Sequence, residues 1–135
     1  MNADLSWLVG RRCDAVHRDE FSWNFVFDAG AVTTPFLWRL IEAGRIRVTS
    51  EDHGHQFGLP APLDARHDAE SRLLSRVIES AKVRSDTGDL VLEFAGGLVL
   101  ELLQTSGGYE AWHLISPDGK SVVATGGGEL ATWSA

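Results

Sequence analysis

The segment Ser50-Glu51-Asp52-His53-Gly54-His55-Gln56 packs the densest set of reactive side chains into one stretch of the chain. On a strand, residues two apart face the same side, so His53 and His55 could chelate one metal ion with Asp52 as a further ligand. Gly54 favours a turn instead, and no later Glu or His stands at a spacing that would complete the shell. Ser50, Asp52 and His53 are also the residue types of a hydrolytic triad. Triad members normally arrive from separate segments, however, and the chain has no Gly-x-Ser-x-Gly elbow. Cys13 and His17 would face one side of a strand without being adjacent, a poor geometry for activating a thiolate. His67 and His113 stand alone. The run Gly126-Gly127-Gly128 lacks the Lys-Ser/Thr ending and the helix of a phosphate-binding loop, and reads as a bend or bulge between strands.

Five tryptophans form the second group: Trp7, Trp23, Trp38, Trp112 and Trp133. Trp23, Trp38 and Trp112 alternate with apolar neighbours, as core residues do. Tyr109, Glu110 and Trp112 also form an aromatic and acidic cluster of the kind found at recognition surfaces. Glu110 and Glu129 are candidate acceptors for buried indole N–H groups. The candidate binding residues are therefore Asp52, His53, His55, Tyr109, Glu110 and Trp112, with metal ligation by Asp52, His53 and His55 as the alternative. No cofactor is expected.

These side chains sit on a chain of 135 residues, 44% hydrophobic and 23% charged, which is the composition of one globular domain spanning residues 1–135. Twelve basic and nineteen acidic residues give a formal net charge of −7, which argues against grip on a nucleic-acid backbone. The imbalance is uneven: residues 85–135 set Lys120 against seven acids, a face that could steer a basic partner. One cysteine excludes an intramolecular disulfide and fits a reducing cytoplasm. The N-terminal apolar run is broken by Asp4 and Ser6, unlike a signal peptide, and no stretch is apolar enough to span a membrane.

Period-two patterns predict strands at Arg12–Val16, Ser22–Ala29, Thr33–Ile41 (around Phe36, Trp38 and Leu40, with Pro35 at its start or on an edge) and Arg45–Ser50, the last two joined by a Glu42-Ala43-Gly44 loop. Apolar residues at Ala69, Leu73, Leu74, Val77, Ile78 and Ala81 predict one helix over 64–81, capped by Asp64 or Asp68, with Arg66, Arg72 and Arg76 in solvent. Strands Asp89–Ala95 and Leu98–Gln104 flank Gly96-Gly97. A three-residue loop pairs Phe94 with Leu98, Leu92 with Leu100 and Leu90 with Leu102, keeping the leucines on one face. A type I turn with a bulge is expected there. Tyr109–Ile115 and Ser121–Thr125 flank a Pro-Asp-Gly turn, and Glu129–Trp133 is the last strand.

The two parts echo each other, with Trp38-x-Leu40-Ile41 answering Trp112-x-Leu114-Ile115. The expected fold is α+β and mainly antiparallel: two similar β-meanders, residues 10–60 and 82–134, each forming its own sheet about a pseudo-twofold axis and joined by the helix. The tracts Ser50-x-Asp52-His53-Gly54-x-x-Phe57-Gly58-Leu59-Pro60, Gly108-Tyr109-Glu110-Ala111-Trp112 and Gly127-Gly128-Glu129-Leu130-Ala131-x-Trp133 resemble a family of small bacterial proteins of unknown function. A Tyr-Glu-x-Trp and Gly-Gly-Glu-Leu pattern also resembles immunity proteins of toxin systems. Together these readings favour a cytoplasmic, non-enzymatic binding protein with a protein partner, and with homodimerisation through open sheet edges available to it. The alternative is a metal-dependent or small-molecule enzyme centred on Asp52, His53 and His55.

Overall fold

The computed structural model describes residues 3–35 and 37–133; Phe36, expected on a strand, lies outside them. The architecture is α+β and mainly antiparallel, with two sheets. In spatial order, one sheet contains β1 (Cys13–Arg18), β2 (Trp23–Phe27), β3 (Ala31–Thr34), β9 (His113–Ile115), β10 (Ser121–Gly126) and β11 (Glu129–Trp133). The other contains β5 (Arg45–Thr49), β4 (Trp38–Glu42), β8 (Leu98–Leu102), β7 (Leu90–Phe94) and β6 (Ile78–Val83). One helix, α1 (Ala65–Leu73), and 3-10 turns at Ser6–Leu8 and Ser50–Asp52 complete the described elements.

Alternation along the strands sends Trp23, Phe25, Phe27, Val32 and Leu114 from one sheet, and Trp38, Leu40, Leu92, Phe94 and Leu100 from the other, into one shared core. Trp38 bridges the two layers. Its ring meets Trp23 and Phe25 of the facing sheet edge-on, at centroid distances of 5.0 and 5.2 Å. Both arrangements suit the quadrupoles of aromatic rings.

The connectivity repeats, but the two parts are exchanged between the sheets. Meander β1–β2–β3 pairs through β3 with β9, and meander β6–β7–β8 pairs through β8 with β4. The registers correspond. Leu114 lies opposite Val32 and Val122, as Leu40 lies opposite Leu100 and Val48. A bulge follows Cys13 in β1 and another follows Ile78 in β6. The expectation of one sheet per meander is thus corrected: each sheet takes strands from both parts of the chain. Where the parts begin, they pair reciprocally. The Cys13 N–H donates to the Arg76 carbonyl at 3.1 Å and the Ile78 N–H to the Arg11 carbonyl at 2.8 Å.

The expected helix over 64–81 stops at Leu73. Leu74 is extended, Ser75 has φ +65°, and β6 takes up residues from Ile78 onward. The reason lies in the bulge after Ile78. An extra residue there shifts the pleat, so the inward positions are Ile78, Ala81 and Val83, and a spacing of three imitates a helical stripe. The arginines are not simply solvated: Arg72 and Arg76 both clamp the Glu42 carboxylate (2.8 and 3.3 Å), and Arg66 contacts Glu70.

Three other expectations change. The stretch Thr33–Ile41 is not one strand, because Pro35 separates β3 from β4 and the two join different sheets. The strand from Tyr109 begins only at His113. The Phe94–Leu98 register stands as expected, but Gly96 and Gly97 both have positive φ, which a type I turn excludes at Gly96.

Helix α1 closes the edge at β1. Ala65, Ala69 and Leu73 are buried beneath it. The outward Val16 N–H donates to Glu70 Oε2 at 2.9 Å, and Arg66 Nη1 donates to the Val16 carbonyl at 3.2 Å. First the Val16 amide and then Arg66 hold the Glu70 carboxyl below its ordinary value of 4.5. A depressed carboxylate stabilises the fold above its unfolded pKa and loses that contribution as pH falls through the folded one. Glu70→Ala is therefore expected to cost about 1 kcal/mol at neutral pH. The gap to the parent protein should close as the pH falls below 4.5, measured by urea unfolding across that range.

Candidate functional site: the His53–Leu63 loop

β5 passes into the loop through contacts made by side chains. Thr49 Oγ1 accepts the Asp52 N–H at 3.2 Å. Ser50 Oγ accepts the Trp38 N–H at 3.0 Å and donates to the Trp38 carbonyl at 3.3 Å, so this hydroxyl extends the β4–β5 ladder by one step. His53 Nδ1 accepts the N–H of Ala65, the first residue of α1, at 3.0 Å. Its ring packs edge-on against Trp23 at 5.2 Å. An accepting Nδ1 leaves the ring proton on Nε2. Asp64 serves the same helix end, as its Oδ1 accepts the His67 N–H at 3.0 Å, and that bond foremost holds the Asp64 carboxyl below its usual range.

Beyond His53 the chain doubles back on itself. The Gly54 N–H donates to the Leu63 carbonyl and the Leu63 N–H to the His55 carbonyl, both at 2.8 Å. At the tip, the Leu59 N–H donates to the Gln56 carbonyl and Gln56 Nε2 to the Leu59 carbonyl, both at 2.7 Å. Phe57 sits inside this clamp with φ +47° and is 65% exposed. The left-handed region costs a residue with a β-carbon about 1 kcal/mol, and here the cost falls on an aromatic ring held in water. His55 stacks on it nearly parallel, at 5.4 Å. Leu59, also exposed, flanks the tip.

The other candidate residues are dispersed. Tyr109 is 77% exposed and Glu110 is exposed, in a loop pinned by Ser106 Oγ, which accepts the Tyr109 N–H at 2.9 Å. That loop lies tight against the triple-glycine bend: a β-carbon on Gly126 would stand 2.7 Å from Gly108 Cα. Trp112 is fully buried and its Nε1 donates to the Gly88 carbonyl at 2.9 Å, so neither Glu110 nor Glu129 is the acceptor. Trp38 Nε1 has no acceptor among the described residues. His53 and His55 lie on a turn, where Gly54 has φ +82°, not on a strand face. Among the described residues no three His, Cys, Asp or Glu side chains gather to hold a metal ion. Cys13 is buried, which pushes its thiol up to about 12, and His17 is exposed. Phe57 and Leu59 were not among the residues expected to bind. Their signal is two large apolar residues set among glycines and prolines, Gly54, Gly58, Pro60 and Pro62, where a strand or helix cannot bury them.

A family profile matches residues 5–134, nearly the whole chain. The protein belongs to the Family of unknown function (DUF6188). No curated protein and no solved structure matches it. The expectation of a family without an assigned activity therefore holds for this DUF6188 chain.

Two outcomes test the geometry of the site. His53→Ala removes an acceptor from the first turn of α1 and a ring from Trp23, and should cost about 1–2 kcal/mol in chemical denaturation. The Cys13 thiol should resist alkylation in native protein and react at the rate of unfolding, as followed by mass spectrometry along a urea series.

Proposed function

We propose that this DUF6188 protein is a non-enzymatic interaction protein that engages a partner protein through the tip of the His53–Leu63 loop. The carrying observation is Phe57: an exposed aromatic side chain, in a backbone conformation it disfavours, clamped by hydrogen bonds and backed by His55. Strain and exposed apolar surface at a rigid tip both lower stability, and such features concentrate where a ligand repays them. A preset aromatic anchor also loses little freedom on docking. Three further contacts support a non-enzymatic reading. Ser50 spends its hydroxyl on both the N–H and the carbonyl of Trp38, and His53 spends Nδ1 on the first residue of α1. The likeness to toxin-immunity proteins fits this reading, with a toxin domain as the partner.

The test separates recognition from architecture. Phe57→Gly relieves the left-handed strain and should leave the melting temperature unchanged or raised, whereas a Phe that served the core would cost about 3 kcal/mol or more. In affinity capture from the source cells, a partner held by the parent protein should be lost from Phe57→Gly. Equal capture by both proteins, or a destabilised variant, would overturn the proposal.

A further inference from the structure

Ten of the twelve basic side chains have a partner among the described residues, and two are left over. Eight of the twelve Lys and Arg residues sit in ion pairs: Arg12, Arg39, Arg66, Arg72, Arg76, Lys82, Arg84 and Lys120. Arg11 Nε donates to the Trp7 carbonyl. Arg18 lies 4.7 Å over the Trp23 ring and donates to the Asp19 carbonyl. Arg45 and Arg47 alone have neither an ion pair nor a side-chain hydrogen bond among the described residues, in a chain of net charge −7. They flank Ile46, a β-branched residue that is 55% exposed.

All three lie at the start of β5, the edge strand of the five-stranded sheet. Arg45 pairs with Glu42 across the two-residue turn Ala43-Gly44, whose φ values are both positive. The alternation of an antiparallel ladder then turns the Ile46 N–H and C=O away from β4 and outward. Helix α1 runs beside the strand, with Arg47, Val48 and Thr49 bordering Ala65 and Asp68 and Arg72 reaching Glu42 opposite Arg45, yet Arg45, Ile46 and Arg47 stay exposed. A bulge between Ile46 and Val48 sets Arg47 out of the regular pleat.

We infer that the Arg45-Ile46-Arg47 edge binds an extended acidic segment of a partner protein. The charge complementarity is local: Arg45 and Arg47, two of the four cations without an ion pair among the described residues, stand beside the outward backbone groups of Ile46. An extended peptide supplies carboxylates to the guanidinium groups, main-chain partners to Ile46, and an apolar residue over the Ile46 side chain. The inference does not rest on the Phe57 reading and stands if that loop binds nothing.

The probe is a fluorescein-labelled peptide of about ten residues alternating Glu and Val, a pattern that presents one residue type to each face of a strand. Binding is read by fluorescence anisotropy at about 0.05 M and about 0.3 M salt. The parent protein and Phe57→Gly should bind it alike, more weakly at the higher salt. Arg45→Ser/Arg47→Ser should weaken binding by about tenfold or more with an unchanged melting temperature. The same peptide with Ser for Glu should bind as weakly to the parent protein as the Glu peptide does to the double variant. Absence of binding, equal binding of the Glu and Ser peptides, or indifference to the double substitution overturns the inference. Arginines on an edge can also serve only to prevent edge-to-edge pairing. In that case the double variant self-associates in sedimentation while the parent ignores the peptide, and the inference falls. It falls as well if a labelled oligouridylate binds where the peptide does not.

Discussion

The arrangement depends on a short reciprocal pairing of backbone, Arg11–Cys13 against Arg76–Ile78. Four hydrogen bonds hold it: Cys13 to Arg76, Ile78 to Arg11, Gly10 to Ile78 and Ser75 to Cys13. Cys13 or Ile78 takes part in each of the four; both are buried, and there an unmade bond costs more than a made one contributes. The pairing sets the starts of β1 and β6 side by side and pointing in opposite directions. From there each three-stranded meander runs into a different sheet, and each accepts on its last strand a strand from the other part of the chain. The shared core follows from that exchange, because neither meander faces a layer of its own making.

Local differences are laid over this common plan. Helix α1 precedes β6 and closes the edge at β1, whereas the corresponding position before β1 holds a single 3-10 turn at Ser6–Leu8. The equivalent tryptophans also diverge. Trp112 donates its indole N–H to Gly88, while Trp38 spends its surface on Trp23 and Phe25. The parts differ most in the segment between β5 and α1. There His53 ties the loop base to the helix, and the tip is left to present Phe57.

Much of the fold was legible in the residues. Alternation at Phe25, Leu40, Leu92 and Leu100 identified strands and their inward faces, and the Phe94–Leu98 register followed from keeping leucines together. Bulges defeated the same reasoning. One extra residue after Ile78 turned a period of two into a step of three, and a strand passed for the second half of a helix. Pro35 was read as the start of a strand or as marking a sheet edge, when it is the crossing from one sheet to the other and neither β3 nor β4 is an edge. The polar cluster at Asp52, His53 and His55 was visible as a cluster, but its chemistry was not. Whether an imidazole is free or committed depends on which amide faces it, and the Ala65 N–H reaches His53 only after α1 has formed. The exposed Phe57 was hidden for a related reason: hydropathy alone makes every phenylalanine a core residue.

The exchange between sheets bears on how the chain is made. A ribosome that has released only β1 to β5 has delivered a meander and a hairpin whose joining strands, β9 and β8, are not yet synthesised. During that interval β3 and β4 are open edges, and Trp23, Phe25 and Trp38 have little more than one another as cover between the layers. Non-local pairings of this kind fold slowly and expose surfaces that stick to other chains. Final assembly of both sheets therefore waits for the last third of translation, and until then those edges stay uncovered.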